Sequence, residues 1–131
     1  MAENFLDALD MRIVEMSSDR VVVEWTVGAK HHQPMGIVHG GVYCGAIETA
    51  CSIGASISAT ERDATMVAVG LENHTSFIKA VRGGTLRATA RPITRGRTTQ
   101  VWEADVRDHD DRLVATGRVR LLCVPRDLAV V

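Results

Sequence analysis

The stretch from Gly41 to Ala59, GVYCGAIETACSIGASISA, contains no basic residue and a single acid, Glu48. It is long enough for about five helical turns. A helix with no strongly polar face must bury its surface, so this segment predicts a central helix covered on nearly all sides by the rest of the chain. A membrane span of that length would be just adequate. Glu48, the serines and Thr49 lower its hydrophobicity, however, and its glycines and alanines suit close packing against a sheet. A chain of 131 residues with 46% hydrophobic content can build one core of this kind and not two, which predicts a single domain over residues 1–131.

The flanks of the helix read as strands. Residues 3 to 9 alternate acids with Phe5, Leu6 and Leu9 in a short helical pattern. Residues 12 to 16 and 20 to 27 are β-branched and aromatic, and the turn Ser17-Ser18-Asp19 separates them, which predicts a hairpin. Residues 28 to 40 show no periodicity and read as a loop. A break at residues 60 to 63 precedes four further strands, at residues 64 to 80, 84 to 94, 98 to 108 and 111 to 124. Glycine- or aspartate-rich turns divide them: Arg82-Gly83-Gly84-Thr85, Thr94-Arg95-Gly96-Arg97 and Asp108-His109-Asp110-Asp111. Two strands, one long helix and four strands make an α+β order. Such an order buries its helix most economically by wrapping a curved antiparallel sheet around it.

With 15 basic and 16 acidic residues, no overall field steers the chain toward nucleic acid or an anionic membrane. Small molecules and further copies of the chain are the expected partners. The opening residues show neither a basic segment nor an apolar run of signal-peptide type, so a cytoplasmic location is expected. Cys44, Cys51 and Cys123 form no CxxC pair and read as small core residues. His31 and His32 are adjacent but have no further ligands at suitable spacing, so no metal is expected.

Chemistry concentrates just before and within the helix, in Gln33-Pro34-Met35-Gly36-Ile37-Val38-His39-Gly40-Gly41 and Glu48. A glycine pair opening a helix presents unpaired amide N–H groups and the positive end of the helix dipole. A carboxylate two turns on has no basic neighbour in sequence to explain it. Donors for an oxyanion, together with an acid that can attack or activate water, are what acyl transfer or hydrolysis requires. Cys44, Glu48 and Ser52 are spaced by four and share one helical face, beside Gly41 and Gly45. Glu48 then either attacks an acyl carbonyl or deprotonates a water, and spacing does not choose between the two. A structural acid tied to backbone amides is the plain alternative.

On Gln33, His39-Gly40-Gly41 and Glu48, set in this strand-helix-strand order, the chain resembles the hotdog-fold thioesterases from about Met11 to Val124. The resemblance is to the phenylacetate-degradation type, and closest to the hydroxybenzoyl-CoA thioesterase branch that carries its carboxylate on the helix. It implies a six-stranded antiparallel sheet wrapped around a long central helix, paired as a homodimer or a dimer-of-dimers tetramer that builds the active sites. It also implies that Gly40 supplies the oxyanion N–H, that Gln33 contacts the thioester carbonyl or the water, and that Glu48 is nucleophile or general base. Ser52 would help hold the water, and His39 would orient the turn. The substrate implied is an acyl-CoA, aryl or medium-chain, with coenzyme A as part of the substrate and no separate cofactor. Gly41 joins the substrate-binding set. Lys79, Arg82, Arg95 and Arg97 are candidates for the coenzyme A phosphates, although each also reads as an ordinary solvated turn charge. Tyr43, Trp25, Phe77 and Trp102 are the few aromatic candidates for the acyl pocket. Two other functions fit the residues. A hotdog dehydratase or hydratase would use His32 with Glu48, and a non-catalytic acyl-CoA or acyl-carrier binding module would bind without turnover.

Overall fold

The computed structural model describes residues 3–128. A one-turn helix α1 (Phe5–Ala8) leads into the hairpin β1 (Arg12–Met16) and β2 (Val21–Thr26). The long helix α2 (Gly40–Arg62) follows, and then β3 (Met66–Phe77), β4 (Thr85–Arg95), β5 (Thr99–Arg107) and β6 (Leu113–Pro125). The six strands form one sheet in the order β1-β2-β4-β5-β6-β3, and every pairing is antiparallel. Strands β1 and β3 are therefore the two edges. Helix α2 packs against β2 through β6, the arrangement of the hotdog fold.

Alternation drives this assembly. Along β5, Gln100, Trp102, Ala104 and Val106 face inward while their neighbours stay half-exposed. Leu86, Ala88 and Ala90 of β4 do the same beside them, as do Val21, Val23 and Trp25 of β2. Burying Trp25 and Trp102 completely contributes about 3–5 kcal/mol each. Small residues on α2 let the sheet come close, and at Gly54 a Cβ would overlap the Trp102 ring. The polar atoms of this half are paired. Trp102 Nε1 donates to Gln100 Oε1 (2.8 Å) and Gln100 Nε2 donates to the Ala55 carbonyl (3.2 Å).

The helix runs farther than its expected end at Ala59. Thr60, Glu61 and Arg62 contain no breaker, and the helix stops only where Asp63 turns extended and its carboxylate takes both the amide and the hydroxyl of Thr65. The expected strand over residues 64 to 80 ends at Phe77, because Ile78 and Lys79 both donate to one carbonyl, that of Val114. The loop over residues 28 to 40 holds a 3-10 turn, Ala29–His31, and a bridge between His32 and Val38. The expectation that α2 is covered on nearly all sides is corrected. Val42, Tyr43, Ala46, Ile47, Ala50, Cys51, Gly54, Ala55 and Ala59 are buried, but Cys44, Gly45, Glu48 and Ser52 are only half-buried, because the sheet covers one side of the helix and not the other. No helix among the described residues is long and apolar enough to cross a membrane.

Candidate active site

The start of α2 is built by His39. As N-cap it is extended (ψ 135°), and its Nδ1 accepts the Gly41 N–H at 2.7 Å, so the imidazole proton sits on Nε2. Val42 N–H bonds to the His39 carbonyl. The Gly41 amide is thus used inside the turn, and the Gly40 N–H alone of the glycine pair has no acceptor among the described residues. The ring of Phe77 lies over Gly40, where a Cβ would sit 2.5 Å from Phe77 Cζ. Only glycine leaves both the amide and the ring in place.

Gln33 stands on the same side. Its Oε1 accepts the Met35 N–H, and its backbone closes a turn with Ile37 and Gly36, while the Nε2 donors have no acceptor among the described residues. Gln33, Gly40, Val38, Tyr43, Phe77 and Lys79 line one cleft of about 290 Å³. Tyr43 is 3% exposed, and its hydroxyl and the neighbouring Trp25 Nε1 lack partners among the described residues. Burial pushes the Tyr43 hydroxyl up to about 12.

Glu48 lies elsewhere. It is two turns along α2 from Gly40, about 12 Å along the axis, and it does not line the Gln33–Gly40 cleft. One chain therefore does not bring the free amide and the carboxylate to one point, contrary to the expectation from sequence that they share a site. Ser52 Oγ donates to Glu48 Oε2 at 3.1 Å, and Asn73 Nδ2 donates to Glu48 Oε1 at 3.2 Å. The carboxylate rests on Gly70 of the edge strand β3, where any Cβ would overlap Oε2. Asn73 and Gly70 escaped the sequence reading. Strand β3 carries a bulge between Gly70 and Glu72, and that irregularity decides which of its polar residues face the helix.

The four candidate cations divide. Lys79 lines the Gly40 cleft, and Arg82 lies beside it, with Nη1 donating to the Met35 carbonyl at 3.4 Å. Arg95 and Arg97 lie on the β4–β5 turn, where Arg62 at the far end of α2 donates to the Arg95 and Gly96 carbonyls. That end is about 33 Å from Gly40 along the helix. Arg95 is further engaged by Asp19 (3.0 Å) and the Ser18 carbonyl. A second groove, of about 560 Å³ on the outer sheet face, is lined by Arg87, Arg91 and Arg107, but each of these is paired to Glu24, Glu103 or Asp105.

The two adjacent histidines are both structural. His31 accepts the Gly28 N–H at Nδ1 and donates from Nε2 to the Leu9 carbonyl, and His32 Nε2 donates to the Arg82 carbonyl. No three His, Cys, Asp or Glu side chains among the described residues gather as a metal site would require. Burial, with the Glu48 and Glu103 carboxylates adding to it, pushes the Cys51 thiol up and keeps it inert.

A family described as the thioesterase superfamily matches residues 35–115. The chain is similar to the 1,4-dihydroxy-2-naphthoyl-CoA hydrolase of Listeria monocytogenes, 34% identical over 112 residues that cover 86% of this chain and 89% of that protein. Among solved structures it is similar to a thioesterase of Haemophilus influenzae, with a TM-score of 0.85 at 29% identity, covering 92% of this chain and 82% of that one. It is also similar to a thioesterase of Staphylococcus aureus solved with a glutamine replaced by alanine, with a TM-score of 0.83 at 32% identity, covering 92% and 98%. The same Staphylococcus aureus protein was solved with a glutamate replaced by alanine. Its two replaced residues are as far apart along the chain as Gln33 and Glu48.

Proposed function

The chain belongs to the thioesterase superfamily, and from that premise we propose that it hydrolyses an acyl-CoA to the free acid and coenzyme A. The acyl group is an aryl one of hydroxybenzoyl or phenylacetyl type, or a medium-length chain, and the naphthoyl-CoA hydrolase among its relatives favours the aryl choice. One observation carries the reading: the Gly40 N–H and the Gln33 Nε2, both without acceptors among the described residues, line the same cleft at the positive end of a long helix. A thioester carbonyl placed there gains two donors, each contributing about 3 kcal/mol to the developing oxyanion.

Glu48 then acts on the carbonyl carbon. It either attacks, expelling the thiolate and leaving a mixed anhydride that water opens, or it takes a proton from a water that attacks directly. Ser52 helps hold that water or the carboxylate. Because Glu48 is about 12 Å from its own Gly40 along the helix, the acid is supplied by a second copy docked along β3. Two features support this: β3 is an unpaired edge of 12 residues, and Glu48 lies against it at Gly70. Lys79, which lines the cleft, and Arg82 beside it would bind the phosphates of coenzyme A, and no cofactor beyond the substrate enters this chemistry.

Thiol release from aryl, short-chain and medium-chain acyl-CoAs, with wild type beside Glu48→Ala and Gln33→Ala, tests the proposal. Turnover that both substitutions abolish supports it. Binding of acyl-CoA by wild type with no thiol release identifies a binding module instead.

A further inference from the structure

Strand β3 reaches under the carboxylate with more than the glycine that makes room for it. Asn73 Nδ2 lies 3.2 Å from Glu48 Oε1 and 3.2 Å from the Cys44 carbonyl. Both of those atoms are acceptors, so the amide nitrogen must face them. Its other end is fixed too. Thr75 Oγ1 donates to Asn73 Oδ1 at 2.7 Å, so the amide cannot turn over without setting its nitrogen against the hydroxyl and its oxygen against a carboxylate. Thr75 in turn fits against Gly117 of β6, where a Cβ would sit 2.7 Å from Oγ1. Asn73 and Thr75 alternate on the helix-facing side of β3 and are half-buried, like Glu48 itself.

We infer that Asn73, oriented by Thr75, is a positioning residue for the Glu48 carboxylate. It holds Oε1 while Ser52 holds Oε2, so the acid keeps one rotamer and one plane before substrate arrives. This rests on the reading of Glu48 as the reacting carboxylate. A tie between strand and helix without a catalytic consequence would be a different role for the same bonds, since the Cys44 contact alone joins β3 to α2.

The test is steady-state kinetics of Asn73→Ala, Asn73→Asp, Thr75→Val and Thr75→Ser on the best acyl-CoA of the panel. Glu48→Ala runs alongside, and each variant is assayed well below its measured melting temperature. Losing a hydrogen bond to a charged group predicts a kcat for Asn73→Ala lower by roughly 10- to 100-fold, with KM within about threefold of wild type. Asn73→Asp keeps the shape but turns an oxygen toward Glu48, so it falls further. Thr75→Val loses about tenfold in kcat, and Thr75→Ser restores it because the hydroxyl is kept. The inference is overturned by a folded Asn73→Ala with kcat within about twofold of wild type, by a change confined to KM, or by Thr75→Ser behaving as Thr75→Val. Turnover surviving in Glu48→Ala would overturn the role of Glu48 and this inference together. An inactive Glu48→Ala beside a fully active Asn73→Ala would remove this inference alone.

Discussion

The two halves of α2 face the same sheet under different rules. Toward its C-terminal end, Trp102, Gln100 and the Ala55 carbonyl are linked by hydrogen bonds, Ser56 and Thr60 bond the Ala68 and Met66 carbonyls of β3, and the Trp102 ring packs densely on Gly54. Toward its N-terminal end, Tyr43 OH, Trp25 Nε1, the Gly40 N–H and the Gln33 Nε2 have no acceptors among the described residues, and aromatic rings lean on Gly40 and Gly45 instead of filling the space. Buried polar groups cost stability when they are unpaired, so the second half is held less tightly than its composition would allow. On the proposed reading, the oxyanion donors sit where pairing is left incomplete, whereas the carboxylate sits where it is held by Ser52 and Asn73.

The largest break in that comparison comes from Gly70→Ala. Its new Cβ overlaps Glu48 Oε2, so kcat on an acyl-CoA falls roughly 100-fold as the carboxylate is displaced, while the melting temperature stays close to wild type. Gly54→Ala makes the same kind of overlap with Trp102 in the paired half. There the cost falls on stability, about 1–3 kcal/mol by denaturant unfolding. A sharper probe is the pair of buried tryptophans. Trp102→Phe strands Gln100 Oε1, whereas Trp25→Phe breaks no hydrogen bond, so the first should cost about 1–2 kcal/mol more than the second in the same unfolding assay.

The smallest effect is at the end of the helix. The Thr65 hydroxyl and then its amide hold the Asp63 carboxyl below its ordinary value. A carboxyl depressed in the folded state adds stability above its unfolded value and loses it as pH falls through the folded one. The melting difference between wild type and Asp63→Asn should therefore shrink as the pH drops below the ordinary carboxylate range.

Much of this was legible in the sequence because it is local. The β-branched alternation, the Gly- and Asp-marked turns and the run from Gly41 with its single charge give the strands and the helix to within a few residues. Gly40 and Glu48 stand out by residue type and spacing, whereas Gln33 stands out through the family resemblance. Asn73, Thr75 and Gly70 do not stand out. They lie among the alternating polar residues of an edge strand, and which of them meets α2 depends on a bulge that is visible only once β3 is paired to β6. The separation of Lys79 and Arg82 from Arg95 and Arg97 was hidden for a related reason. Adjacent turns in the sequence lie at opposite ends of a sheet whenever a full strand runs between them, as β4 does here. The helix end was missed because the Asp63 side chain, and not a proline or glycine, terminates it.

The fit of Glu48 against Gly70 also sets an order on evolutionary change. A side chain at position 70 displaces the carboxylate of the longer acid, whereas shortening Glu48 to aspartate opens the volume in which one can be accommodated. A change at both positions that keeps the acid in place must then pass through the shorter acid first and the bulkier strand residue second. A library randomised at both positions and selected for thioester hydrolysis should return non-glycine residues at 70 only in company with aspartate at 48.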